Sequence, residues 1–110
     1  MEIKKFASIF DGLKEAYGYF KIEKTGSNGK AQGKAGVTRE PRTKELWENH
    51  LLGKNIGIGI IPINEDNNCK WGCIDIDQYP LDHKLLVEKI RRLKLPLVVC
   101  RSKSGGAHCF

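Results

Sequence analysis

Apolar positions recur along this chain with two different periods. Phe6, Ile9, Phe10, Leu13 and Tyr17 fall at three- and four-residue spacing, which predicts an amphipathic helix over about residues 3–17, with Gly12 weakening its continuity. Thr43 is placed to cap a second, short helix running to Leu52, with Gly53 just past its end and Trp47 and Leu51 on one side. From Ile56 to Ile63 the period changes to two. Ile56, Ile58 and Ile60 share one face of a strand, and Gly57 and Gly59 the other. A strand face without side chains suits close approach by a backbone, a base or a sugar, and packing on backbone is the commoner reason. Residues 64–68 read as a polar turn and 70–77 as a strand. Residues 82–94 read as a helix with Leu85, Leu86, Ile90 and Leu93 inward, Pro96 punctuates its end, and 97–102 form another strand. Between the first two helices, Gly26 to Lys34 reads as a glycine-rich basic loop. No internal repeat is visible.

This order sets the fold class as α/β (α+β). A helical and looped region, residues 1–54, leads into a strand-rich core, residues 55–110, within one domain. If the strands 70–77 and 97–102 are parallel neighbours, Asp75 and Asp77 lie toward the same carboxyl ends as the loop Ser104–His108. Open α/β sheets place ligands there.

Composition narrows the class. At 110 residues, with 40% hydrophobic and 29% charged positions, the chain is an ordinary soluble domain or part of one. No apolar run approaches the ~18 residues of a membrane span. Met1 to Phe10 lacks an apolar signal core. Cys69, Cys73, Cys100 and Cys109 are then expected as thiols in a reducing, cytoplasmic compartment. Phe110 ends an apolar stretch that has barely begun, so the chain is expected to be a piece of a longer protein.

The formal net charge is +6. Residues 24–44 carry Lys24, Lys30, Lys34, Arg39, Arg42 and Lys44 against the single acid Glu40, and residues 89–103 carry Lys89, Arg91, Arg92, Lys94, Arg101 and Lys103 with no acid. Two basic segments suggest a polyanion partner; a solvated basic surface explains them as well.

Two motifs carry chemistry. Asp75 and Asp77 occupy alternate positions of an apolar run and so share a strand face. Two such carboxylates repel unless a cation or a cluster of donors lies between them, and oxygen ligands suit a hard divalent ion. The plainer alternative is a strand end facing water, and Asp-x-Asp also occurs in glycosyltransferases and phosphatases. The second motif is Arg101-Ser102-Lys103-Ser104-Gly105-Gly106-Ala107-His108. Its glycines let backbone N–H groups converge on an anion, Arg101 and Lys103 add charge, Ser104 a hydroxyl, and His108 a donor to a phosphate oxygen. The plainer alternative is a Gly-Gly turn with a half-buried histidine. The four cysteines lack the spacing of a zinc knuckle, and His108 and Cys109 point to opposite strand faces. No histidine stands beside a cysteine in a recognisable nucleophile motif.

At these residues the chain resembles the archaeo-eukaryotic primase superfamily, the primase-polymerases, and within it the primase domain of TOTE conflict systems and related phage replication proteins. The likeness covers most of the chain. It runs through Phe10-Asp11-Gly12 with Tyr17, Trp47-Glu48-Asn49-His50-Leu51-Leu52-Gly53 and Ile58-Gly59-Ile60-Ile61-Pro62-Ile63. It is strongest over Gly72-Cys73-Ile74-Asp75-Ile76-Asp77 and Arg101 to His108. The two last motifs together, in this order, are far more specific than either alone.

The resemblance implies an RNA-recognition-motif-like catalytic core. It implies Asp75 and Asp77 as ligands of a two-metal Mg2+ or Mn2+ site. It gives Ser104 and His108 to the triphosphate of an incoming nucleotide, with Arg101, Lys103, Gly105 and Gly106 beside them and His108 counted with the catalytic set. It further implies a single-stranded DNA template, held by Lys30, Lys34, Arg39, Arg42 and Lys44, nucleoside triphosphates as substrates, a helicase on the same or another chain, and a role in phage or mobile-element replication in a bacterial or phage-infected cell. The family's third acidic motif would lie on a later strand, so this length alone is expected to be inactive. Relatives with a cysteine-rich insertion near residues 20–45 have no counterpart here. Two other classes stay open: a non-catalytic nucleic-acid-binding module with a relict nucleotide site, and a metal-dependent phosphodiesterase or nuclease using the same carboxylates.

Overall fold

A computed structural model describes residues 2–27, 31–54 and 56–110. In chain order the elements are α1 (Ile3–Ile9), β1 (Tyr17–Thr25), β2 (Ala31–Thr38), α2 (Lys44–Leu51), β3 (Ile56–Gly59), β4 (Ile74–Ile76), α3 (His83–Arg92), β5 (Val99–Arg101) and β6 (Ala107–Cys109). Three helices and two small antiparallel sheets make an α+β fold. The described residues fall into two compact units, one reaching to Trp71 and one from Gly72 to Phe110. The strand β3 pairs with β1, not with the strands that follow it, so the unit holding both motifs starts at Gly72 rather than near residue 55.

In the first unit the sheet order is β2-β1-β3, all antiparallel. The first helix stops at Ile9, earlier than its apolar spacing predicts. The cause is tertiary: Leu13 N–H donates to the Ile61 carbonyl at 2.9 Å, and any side chain at Gly12 would overlap that same carbonyl. Tyr17 therefore opens β1 instead of closing a helix. Residues 31–34 of the expected basic loop lie in β2, opposite β1. The second helix follows expectation. Thr43 Oγ1 accepts from Leu46 N–H at 3.3 Å, and Trp47 is its buried residue. Phe6 meets Phe10 at 5.1 Å and Trp47 edge-on at 5.9 Å, and Phe10 meets Trp71 edge-on at 5.4 Å. These are favourable aromatic geometries. Gly59 stands across from Gly18 and Gly57 across from Phe20, so the glycine positions of β3 lie against backbone of the neighbouring strand.

In the second unit the sheet order is β4-β6-β5. The strands β4 and β5 are each antiparallel to β6, so they run parallel to one another but are not neighbours; the expectation of adjacent parallel strands is corrected by the insertion of β6 between them. Helix α3 starts at an Asp82 N-cap, whose Oδ1 accepts from Leu85 N–H at 3.1 Å. It covers one sheet face, where Ile90, Ala107 and Cys109 are buried and Ile76, Leu81, Leu86, Leu97 and Val99 pack around them. Leu85 and Leu93 face away from this core, contrary to the inward reading of all four apolar helix positions: they are 62% and 58% exposed.

Candidate functional site

The ladder β4-β6-β5 aligns rows of side chains across the sheet. Ile76, Ala107 and Arg101 form one row, and Ile74, Cys109 and Val99 another; both face α3. Between them runs the row Asp75, His108 and Cys100, on the opposite face because strand side chains alternate. His108 thus stands directly across from Asp75, with Nε2 3.5 Å from Oδ1, and both side chains are about half exposed. Asp75 and His108 thus come to one face of the unit. Cys73 is on this side as well, and its thiol is pushed up by burial and then by the charge of Asp75. Asp77 lies one residue past β4, and its Oδ1 accepts a hydrogen bond from the Tyr79 hydroxyl at 3.0 Å. That bond to a carboxylate is the main reason the Tyr79 hydroxyl is pushed above its usual range.

The turn between β5 and β6 closes beside the carboxyl end of β4. Gly105 N–H donates to the Ser102 carbonyl at 3.1 Å, and Ser102 N–H to the Gly106 carbonyl at 3.0 Å. The two glycines are needed for different reasons. Gly105 has φ +92°, a conformation that side chains rarely adopt. Gly106 has an ordinary φ, but a Cβ there would overlap the Ile76 carbonyl oxygen of β4. His83, the first residue of α3, holds the Gly106 carbonyl through Nε2 at 2.8 Å; a carbonyl only accepts, so the ring carries its proton on that nitrogen. Lys103 and Ser104 are exposed in this turn.

Arg101 is not brought to the same face. Its row partner is Ala107, and it lines a cavity with Pro80, Leu81, Asp82, His83 and Lys84 on the α3 side. The register of β5 on β6 decides this: Cys100, not Arg101, stands opposite His108, and neighbours along a strand point to opposite faces.

The basic residues of the first unit divide in the same way. Lys34 is exposed and 3.5 Å from Glu23, Arg39 is exposed, and Lys44 pairs with Glu48 one turn on at 3.1 Å. Lys30 lies outside the described residues. Arg42 does not serve as a surface contact. Its side chain is 8% exposed, its Nη2 donates to Asp11 Oδ1 at 2.9 Å and to the Gly12 carbonyl at 3.3 Å, and its guanidinium lies 6.0 Å from the Trp47 ring centre. The Asp11 carboxyl is held down at about 2, first by Arg42 and also by Lys70 at 3.1 Å and the Gly12 N–H. Trp71 Nε1–H donates to the Asp11 carbonyl at 2.9 Å. Asp11 is therefore the hub that ties three loops of this unit together.

The sequence alone does not single out Tyr79 or His83. A signal for each is present in it: a hydroxyl-bearing aromatic two residues past Asp77, and a ring donor at the first turn of the helix that follows.

The donor set can be weighed for a divalent cation. Among the described residues no group of three or more His, Cys, Asp or Glu side chains converges. What the unit offers is two exposed carboxylates two residues apart in the chain, beside a glycine turn. Mg2+ keeps several waters and binds through one or two carboxylates, to which substrate phosphates add, so these residues fit such an ion. Among the described residues no helix is long and apolar enough to cross a membrane.

Comparison with known proteins bears on this arrangement. No curated protein and no solved structure matches the chain. A family model described as "TOTE conflict system, Archaeo-Eukaryotic Primase domain" matches residues 6–110, a span that takes in the Asp11 hub, both carboxylates and the whole Ser104–His108 turn. With nearly its full length matched, the chain belongs to the archaeo-eukaryotic primase domain family of TOTE conflict systems, whose primase-type activity is nucleotidyl transfer.

Proposed function

We propose that this chain carries the carboxylate and triphosphate half of a metal-dependent, template-directed nucleotidyl transfer site, adding nucleotides from nucleoside triphosphates on a single-stranded DNA template. The observation that carries this reading is the cross-strand pair Asp75–His108, flanked by Asp77 and the Gly105-Gly106 turn. The Asp75 carboxylate and a donor for phosphate oxygens, His108, stand side by side on one sheet face, both about half exposed. A bound Mg2+ or Mn2+ would stabilise charge on the attacking and leaving oxygens and lower the pKa of the attacking 3′-hydroxyl.

Asp75 and Asp77 hold that cation. His108, across from Asp75, donates to a triphosphate oxygen. Lys103 and Ser104 add an ammonium and a hydroxyl at the tip of the turn, where the open space at Gly105 leaves room for phosphates to lie against backbone. Arg101 has no part in this, because it faces α3. Lys34 and Arg39 contribute sequence-tolerant attraction to a nucleic-acid backbone. The biological setting that suits this chemistry is replication of a phage or mobile element, with a helicase acting on the same template.

The test is nucleotide incorporation by the full-length protein on a primed and an unprimed single-stranded template with Mg2+ or Mn2+. Asp75→Asn and Asp77→Asn are expected to abolish incorporation and leave template binding intact. Incorporation retained in either variant contradicts the assignment. Metal-dependent cleavage of the template without nucleoside triphosphate would favour a nuclease instead.

A further inference from the structure

We propose that Tyr79 is a positioning residue of this site, fixing Asp77 so that the second carboxylate keeps a defined direction past the end of β4. The inference rests on the reading of Asp75 and Asp77 as cation ligands. Asp75 is held by the β4–β6 ladder, with His108 opposite. Asp77 has no such support, since β4 ends at Ile76 and the pairing register ends with Ile76 and Ala107. Its carboxylate needs another restraint to keep a defined direction, and the Tyr79 hydroxyl supplies one at 3.0 Å on Oδ1. That leaves Oδ2 for a cation. The Tyr79 ring is 53% exposed, which makes packing a poor account of the residue. Groups that orient a metal ligand through a hydrogen bond typically change metal affinity by about 10- to 100-fold when removed.

The experiment is titration of Mn2+ alone into this chain, read by the paramagnetic resonance signal of free Mn2+. It compares the wild type with Asp77→Asn and Tyr79→Phe. Tyr79→Phe keeps the ring and removes only the hydroxyl, and is expected to weaken Mn2+ binding by about 10-fold with an unchanged thermal midpoint. Full affinity in Tyr79→Phe beside a loss in Asp77→Asn overturns the positioning role and leaves the carboxylate reading standing. A midpoint that falls along with affinity also overturns it. A wild type that binds no Mn2+, or an Asp77→Asn variant that binds it as well as wild type, overturns the carboxylate reading and the inference with it.

Discussion

His108 stands directly opposite Asp75 on adjacent antiparallel strands, its Nε2 3.5 Å from the Asp75 carboxylate. Directly opposed side chains have Cβ atoms ~4.5–5.5 Å apart, so one ligand can touch both. Removing the imidazole should cost nucleotide binding without removing the cation's own ligands. A hydrogen bond to a charged group contributes ~1.5–3 kcal/mol, so His108→Ala is expected to weaken triphosphate binding by about 10- to 100-fold. Mn2+ affinity without nucleotide should stay close to wild type. Calorimetry with each ligand separates the two effects, and equal nucleotide affinity in His108→Ala would remove His108 from the site.

Gly105 and Gly106 should respond differently to a methyl group. Gly106→Ala drives a Cβ into the Ile76 carbonyl, a backbone atom that cannot swing aside. It is expected to destabilise the chain by about 1–3 kcal/mol, the usual cost of overpacking. Gly105 has open space around its Cβ but φ +92°, so Gly105→Ala is expected to cost about 1 kcal/mol. Denaturant unfolding of both variants checks the order; Gly106→Ala at or above wild-type stability would contradict the close approach of turn and β4.

Acid should loosen the first unit through Asp11. Its folded pKa, about 2, lies below the ordinary 3.8, because Arg42 and Lys70 stabilise the charged form. The unfolded chain therefore takes up the proton first as pH falls. The stabilisation is complete above the unfolded value and is lost as pH drops through 4 toward 2. With the side chain 27% exposed, solvent screening trims the contribution to about 1–2 kcal/mol. Unfolding free energies measured between about pH 5 and about pH 2.5 should fall less steeply for Asp11→Asn than for wild type. Parallel slopes would show that Asp11 carries no such linkage.

Much of the second unit is legible in the sequence because its signals are local. Asp75 and Asp77 alternate with Ile74 and Ile76, Asp82 caps α3, and Gly105-Gly106 mark a turn whatever packs around them. The pairing is not legible. Nothing in residues 97–102 says that β6 folds back between β4 and β5, and for that reason the motif alone puts Arg101 on the wrong face of the site. In the first unit, β2 reads as a loop because Gly33 and Gly36 lower strand propensity. Gly33 is there because the Lys21 backbone of β1 leaves no room for a side chain, a constraint visible only once the two strands are paired. Tyr17 continues a helical spacing that the contact of Gly12 and Leu13 with Ile61 interrupts.

The basic residues of the first unit should separate in a DNA-binding assay. Lys34 and Arg39 are exposed, so Lys34→Ser and Arg39→Ser are expected to weaken single-stranded DNA binding. Each should reduce the salt slope by about 0.7, the share of one neutralised phosphate on a single strand. Arg42 is buried on Asp11, and Arg42→Ala is expected to lower stability by about 2 kcal/mol, because its charged hydrogen bonds go with the guanidinium. Salt-dependent fluorescence anisotropy with a thermal melt of each variant distinguishes the two. A changed salt slope at full stability in Arg42→Ala would contradict its structural role.

The central claim is that Asp75, Asp77 and the Ser104–His108 turn form one cation-dependent triphosphate site within residues 72–110. The most direct measurement is calorimetric titration of a nucleoside triphosphate into this chain with and without Mn2+, repeated on Asp75→Asn. Binding that requires Mn2+ and disappears in Asp75→Asn is the predicted result. Triphosphate binding by the folded chain that is indifferent to Mn2+, or is unchanged in Asp75→Asn, would contradict it.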